Sequence, residues 1–122
     1  MFDIKIDQAQ QLVEVRLDGL MGVDEVTECI NELRRQFIAN RLRSYVMVID
    51  VSAMPIQTQD MIRTMGEHMA GMPKARAIAV ATGSSLARMQ IRRLFTQSYA
   101  RVTSTVEQGR AWVMDGVEPP VI

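Results

Sequence analysis

The chain has 122 residues, enough for one domain that buries roughly two thirds of its unfolded surface without staples. Its 14 basic and 14 acidic residues cancel, which argues against a dedicated nucleic-acid binder, because that function needs a net basic face to displace phosphate counterions. Cys29 stands alone, so no intrachain disulfide forms and no thiolate cluster can hold zinc.

Twelve of the 14 cations are arginine, which suits forked contacts with carboxylates or phosphates better than lysine. The opening Met1-Phe-Asp-Ile-Lys lacks the basic start and apolar core of a signal peptide, and no apolar run is as long as a transmembrane segment. A cytoplasmic protein is the expectation.

Phe2, Ile4 and Ile6 alternate with Asp3, Lys5 and Asp7, the period of a strand with one wet face. A polar turn follows, and Leu12 to Leu17 form a second strand, with Val13, Val15 and Leu17 on one side and Glu14 and Arg16 on the other. So brief a connection predicts antiparallel pairing. After Gly19 and Gly22, the residues Val26, Cys29, Ile30, Leu33 and Phe37 recur at helical spacing. Asp24, Glu25 and Glu28 near the start and Arg34 and Arg35 near the end suit the macrodipole, and Asn40 is the expected stop.

Residues 45–51, Tyr-Val-Met-Val-Ile-Asp-Val, form the longest nearly unbroken apolar run. The run is rich in β-branched residues and too short for a buried helix, so it reads as a strand covered on both faces. A loop, Ser52-Ala-Met-Pro, precedes a second helix over about 58–72, with Thr58 as N-cap and Asp60 in its first turn. Met61, Ile62, Met65, Met69 and Met72 are its apolar positions.

Residues 75–81 are a strand of small and β-branched residues. Gly83-Ser84-Ser85 leads into a third helix with Leu86, Met89, Leu94 and Phe95 expected inward. Residues 101–103 make a short last strand. Ser104 and Glu107 have capping-box spacing ahead of a final helix that carries Val106, Trp112 and Val113. The fold class expected is α/β, one domain over residues 1–116 in the order β-β-α-β-α-β-α-β-α, with right-handed crossovers and parallel neighbours after the hairpin. Residues 117–122 are a proline-containing tail.

This order resembles the STAS superfamily, named after sulfate transporters and anti-sigma-factor antagonists, and its SpoIIAA-like, STAS/SEC14-like branch. The resemblance covers roughly residues 2–114. Val15-Arg-Leu-Asp-Gly19 looks like the family's strand ending in glycine before its first helix, and Val48-Ile-Asp-Val-Ser52 like its central strand and following turn. Ile56-Gln57-Thr58-Gln59 falls where the antagonists carry Asp-Ser-Ser/Thr-Gly, and Gly109-Arg-Ala-Trp-Val113 is similar to the Ala-x-x-Trp-Leu ending of the branch.

The resemblance implies a SpoIIAA-like mixed sheet and a non-catalytic domain that works on a regulatory protein partner. The contact region would run from Asp50 and Ser52 to Gln57 and Thr58. Thr58 would take the place of the phosphorylated residue. That motif is degenerate here, since Gln57 replaces the aspartate and Asp60 the glycine. A phosphate on Thr58 would be favoured by the helix N-terminus and repelled by Asp60.

Each candidate has a plainer reading beside it. Thr58 is a helix cap or a regulated residue. Asp50 bonds neighbouring loop amides or belongs to the contact region. Ser84 and Ser85 with Arg88 are a cap beside a solvated arginine, or an anion site for a phosphate or lipid headgroup. The methionines of helix two fill the core or line an adaptable groove for an apolar ligand.

Arg34, Arg35, Arg41 and Arg43, and likewise Arg88, Arg92 and Arg93, are solvated faces or meet acidic partners. His68 and Cys29 read as structural. The residues assemble no acid–base pair or activated nucleophile, and no metal or cofactor set, so an enzyme is not expected. A carrier or sensor for a lipid or anionic metabolite is the alternative function. The residues leave open whether the chain forms a homodimer.

Overall fold

The computed structural model describes residues 1–54 and 59–120. Strands β1 (Phe2–Asp7) and β2 (Leu12–Asp18) form the hairpin. Helix α1 (Val23–Ala39), β3 (Val46–Ala53), α2 (Gln59–Ala70), β4 (Ala77–Ala81), α3 (Ser85–Leu94), β5 (Ala100–Thr103) and α4 (Val106–Asp115) follow. The five strands lie side by side in chain order. β1 pairs antiparallel with β2, and every later pair is parallel. The protein is an α/β domain with a mixed five-stranded sheet and four helices.

Strand order explains helix placement. Crossovers of one hand, stepping always in the same direction along a sheet, deposit their helices on one face. Val13 and Val15 of β2, Met47 and Ile49 of β3, and Ile78 and Val80 of β4 therefore share one core with Val26, Cys29, Leu33 and Phe37 of α1 and Met61 of α2. Helix α4 follows the last strand and folds onto the opposite face. There Leu12, Val46, Val48 and Ala79 meet Val113 and Trp112 in a second, smaller core.

β3 is the middle strand, and its residues 46–49 are at most 7% exposed. Both faces are covered, as the apolar run predicts. Each such side chain contributes about 1.5–3 kcal/mol of burial free energy.

Helix α4 covers β3 to β5 and leaves the outer half of its face bare. There the pleat presents charge. Asp3 lies opposite Arg16 and Lys5 opposite Glu14 across β1 and β2, and Arg16 lies opposite Asp50 across β2 and β3. Opposite charges directly across a sheet attract, so these pairs support the register. Arg110 of α4 reaches down to the Glu14 carboxylate with its Nε and Nη2.

Several local expectations are corrected. Leu86 and Met89 of α3 are 59% and 57% exposed rather than inward. The stripe that packs is Ala87, Ile91, Leu94 and Phe95; it follows i, i+4, i+7, i+8, the width of one helix face. Leu86 and Met89 belong to a neighbouring stripe that no described element covers. At α4 the cap is Thr105, one residue later than Ser104. Thr105 Oγ1 accepts from the Gln108 amide at 3.1 Å, and Gln108 Oε1 accepts from the Ser104 amide at 3.0 Å. The arrangement is close to a capping box, with Gln108 in the place of the expected glutamate, but its side chain reaches the amide before the cap rather than the cap's own. Asn40 does end α1, and Arg41 takes the left-handed conformation just after it.

Candidate functional site

Strands β2 to β5 run the same way, so the loops that leave them gather along one rim. In open α/β sheets this carboxyl-end rim is where other molecules bind. The β2–α1 loop begins at Gly19, whose φ of +70° suits glycine. The Gly19 amide donates to the Ala53 carbonyl at 3.3 Å, which ties this loop to the start of the next. Met21 is buried and pins the loop to the core, while Leu20 beside it is 67% exposed. Val23, the first residue of α1, is exposed as well. The antiparallel β1 brings Met1 to the same rim, where the Asp18 amide donates to its carbonyl at 2.9 Å.

The β3–α2 loop is the centre of the predicted contact region. The strand runs on to Ala53 instead of giving way to a loop at Ser52, so Asp50 lies within β3, and its Oδ1 accepts from the Ser52 amide of the same strand at 3.0 Å rather than from a loop amide. Ser52 and Ala53 are exposed. Gln57 and Thr58 lie outside the described residues.

At the β4–α3 loop, Thr82 is buried and its Oγ1 accepts from the Ser84 amide at 3.2 Å. Ser84 Oγ in turn accepts from the Ala87 amide at 3.2 Å, so Ser84 is the N-cap of α3. Arg88 is half-buried and one Nη donates to Ser104 Oγ at 3.2 Å, tying α3 to the β5–α4 turn. Ser85 is exposed. The structure therefore brings Ser84, Ser85 and Arg88 to one loop and gives two of them intramolecular partners. Leu86 and Met89 follow on the same rim and face outward.

Behind the rim, α2, α3 and the sheet enclose a partly open apolar cavity of about 60 Å³, lined by Ile49, Val51, Met54, Met61, Met65 and Phe95 among others. A second void of about 40 Å³ lies towards α1 against Cys29, Leu33 and Met47. Ile49 and Met65 line both and stand between them. Met61 is buried and Met65 and Met72 are half-buried, while the side chain of Met69 lies outside what is described. The methionine face thus fills core and lines a cavity at once. A cavity of about 150 Å³ holds a benzene ring, so neither void admits an acyl chain as it stands.

His68 is half-buried in the last turn of α2, and Cys29 is in the core, as expected. Burial pushes the Cys29 thiol up to about 11 from its ordinary value near 9, with the Glu25 charge adding to the rise. A thiol held protonated is a poor nucleophile and a poor metal ligand. Among the described residues no group of three or more His, Cys, Asp or Glu is placed to hold a metal ion. No helix among them is long and apolar enough to cross a membrane.

Sequence reasoning missed Leu20, Val23 and the outward turn of Leu86 and Met89. The signal for Leu20 lay in Gly19-Leu-Met-Gly22, a pair of large apolar residues between two glycines, outside any periodic element. No family model matches this chain, and no curated protein matches it significantly.

Proposed function

We propose that this chain is a non-catalytic, STAS-like regulatory domain of the cytoplasm that works by protein–protein contact through the carboxyl-end rim of its sheet. The observation that carries the reading is where apolar surface lies. Among the described residues the large hydrophobics that stay exposed include Met1, Leu20, Val23, Leu86 and Met89 on or next to this rim, against Ile38, Met114 and Val117 elsewhere. Single exposed apolar side chains are ordinary, but several gathered on one edge mark an interaction site. The STAS resemblance would bring the partner to the end of β3, where Ser52 and Ala53 are exposed.

A photo-crosslinking residue at position 20, compared with one at position 38, tests the reading in the native cell. Position 20 should trap one discrete protein that position 38 does not, and Leu86→Asp should abolish the trapping without unfolding the domain. Equal capture from both positions, or capture indifferent to Leu86→Asp, would count against the rim.

The alternative, a carrier or sensor of a lipid or anionic metabolite, is supported by the apolar cavity behind the rim. It requires Met61 and Met65 to swing aside, which an unbranched, flexible side chain allows. Native mass spectrometry of freshly purified protein should then find a bound small molecule, and a mass equal to that of the bare chain would set this alternative aside.

A further inference from the structure

Helix α4 ends at Gly116, whose φ of +71° lets its amide bond back to the Trp112 carbonyl while the Val117 amide bonds to Ala111. This turn sends residues 117–120 back over β5, the last strand of the sheet. Arg101 of β5 holds them there. Its Nε and Nη2 donate to both Glu118 carboxylate oxygens at 2.8–3.2 Å. Its Nη1 donates to the Ser98 and Ala100 carbonyls at 2.8 and 2.9 Å, and the guanidinium lies over the Trp112 ring at 4.2 Å. A guanidinium fixed on three sides is a preorganised fork for a carboxylate.

The segment forms one wall of a groove of about 250 Å³. Residues of β5 contribute to its floor, and Arg88 and Arg92, one turn apart on α3, stand along the other wall. Arg88 gives one Nη to Ser104, and among the described residues neither Arg88 nor Arg92 has a carboxylate within ion-pair distance. Three guanidinium groups thus face one carboxylate. Prolines 119 and 120 have no N–H to give to an adjoining strand, so the segment covers the edge without extending the sheet through those positions.

We propose that this groove is a recognition site for an extended acidic segment of a partner protein, and that residues 117–120 are its resident, displaceable occupant. Two features support this. The positive charge exceeds what Glu118 supplies, and the groove already holds a chain segment by one carboxylate, that of Glu118 on Arg101, beside the edge strand. An intramolecular occupant competes at an effective concentration near millimolar, so it sets a threshold that a weak acidic sequence does not pass. The Arg101 bonds also hold the Glu118 carboxyl below the usual carboxylate range, which keeps it charged and seated. The site uses none of the exposed apolar side chains of the rim, and although Arg88 belongs to the rim's β4–α3 loop, Arg92, Arg101 and Glu118 do not, so variants at these positions test the groove apart from the rim.

Trp112 is the only tryptophan and lies under Arg101, so its fluorescence reports on the groove. The probe is a synthetic peptide, Glu-Glu-Pro-Pro-Glu, titrated into the full chain beside its glutamine counterpart. The acidic peptide should change Trp112 emission saturably and the glutamine peptide should not. Glu118→Gln, which loosens the resident segment, should tighten binding about threefold, and Arg92→Glu on the exposed helix face should weaken it about fivefold. The proposal is overturned if neither peptide saturates at millimolar concentration, if both bind alike, or if Glu118→Gln leaves affinity unchanged. It is equally overturned if inorganic phosphate displaces the peptide at equal concentration, because the groove would then be reading charge alone. A thermal melt of each variant by circular dichroism separates lost binding from lost folding.

Discussion

Gly109 of α4 lies so close to Ala79 of β4 that a Cβ on the glycine would stand 3.2 Å from the alanine methyl. The same atom would stand 3.3 Å from Val48 Cγ1 and 3.5 Å from Thr103 Oγ1. Helix α4 rests on three strands at this point, and hydrogen at position 109 is what lets it rest there. Gly109→Ala gains about 1 kcal/mol of helix propensity but must lift the helix from Val48 and Ala79, which are both at most 1% exposed. Overpacking of this kind costs about 1–3 kcal/mol. Urea denaturation should therefore show a net loss, and a variant as stable as the parent would mean that α4 tolerates a methyl group between itself and the sheet.

Gly66 of α2 makes a useful contrast. A Cβ there would come within 2.7 Å of Leu94 Cδ1, a closer approach than any at Gly109. Yet the obstacle is the end of a rotatable side chain that borders the apolar cavity, so it can move into open space. Gly66→Ala should be neutral or stabilising by up to about 1 kcal/mol. The pair separates two kinds of crowding that distance alone does not rank. Equal destabilisation of the two variants in urea would refute the distinction.

Much of the frame is legible in the residues. The run at 45–51 favours a covered strand, because its apolar residues follow no face, are rich in β-branching and are too few for a buried helix. The alternation at Phe2–Ile6 marked one dry and one wet face. Periodicity also gave the core stripe of α1 residue for residue, since α1 is long and packs along most of its length. On α3 it placed Leu94 and Phe95 correctly but not Leu86 and Met89, because this short helix carries two adjacent apolar stripes and only tertiary packing decides which one is buried. The rim was not legible either. An exposed Leu20 and a buried Met21 are chemically alike, and the choice between them depends on a loop whose path glycine leaves free. The Arg101–Glu118 pair spans helix α4 and depends on the left-handed turn at Gly116, so no local pattern announces it.

Met61 tests the cavity. It is 3% exposed and lines the space between α2, α3 and the sheet. Met61→Ala removes most of a side chain next to an existing void, and loss of a large apolar side chain from a core costs about 2–5 kcal/mol. The figure should fall at the upper end, because a wall already facing empty space has little with which to collapse. Denaturation should show the loss, and xenon or benzene should bind the enlarged cavity and return part of it. A loss below about 1 kcal/mol would place Met61 outside the core.

Glu14 and Arg110 join β2 to α4 across 96 residues. Both are partly exposed, at 24% and 48% of their side-chain surface, so solvent screens the attraction. Double-mutant cycles on exposed pairs give about 0.2–1 kcal/mol. Arg110→Ala should cost no more than this and should leave α4 docked, because Gly109 and Val113 hold it independently. If α4 detached in Arg110→Ala, seen as an increase in Trp112 exposure, the ion pair rather than the close approach at Gly109 would be what seats the helix.

Alkaline pH should weaken the fold through two buried groups. Burial holds the Cys29 thiol up at about 11. Burial, with Tyr99 nearby, pushes the Tyr45 phenol up to about 12, while its hydroxyl donates to the Pro73 carbonyl. In each case the folded value lies above the ordinary one, near 9 for the thiol and 10 for the phenol. Above pH 9 the unfolded chain gives up the thiol proton while the folded chain keeps it, so the unfolded state binds fewer protons and stability falls as pH rises. The thiol contributes its full share below pH 9 and loses it by about 11, and the phenol follows between 10 and 12. The thiol alone is worth on the order of 2 kcal/mol across its window. Urea midpoints at about pH 7, 9.5 and 10.5 should fall in that order, and Cys29→Ala should flatten the first part of the decline while lowering stability at neutral pH. A midpoint unchanged to about pH 10.5 would show that neither group is held neutral. A thiol reagent gives the independent check, since Cys29 should react only as fast as the domain opens.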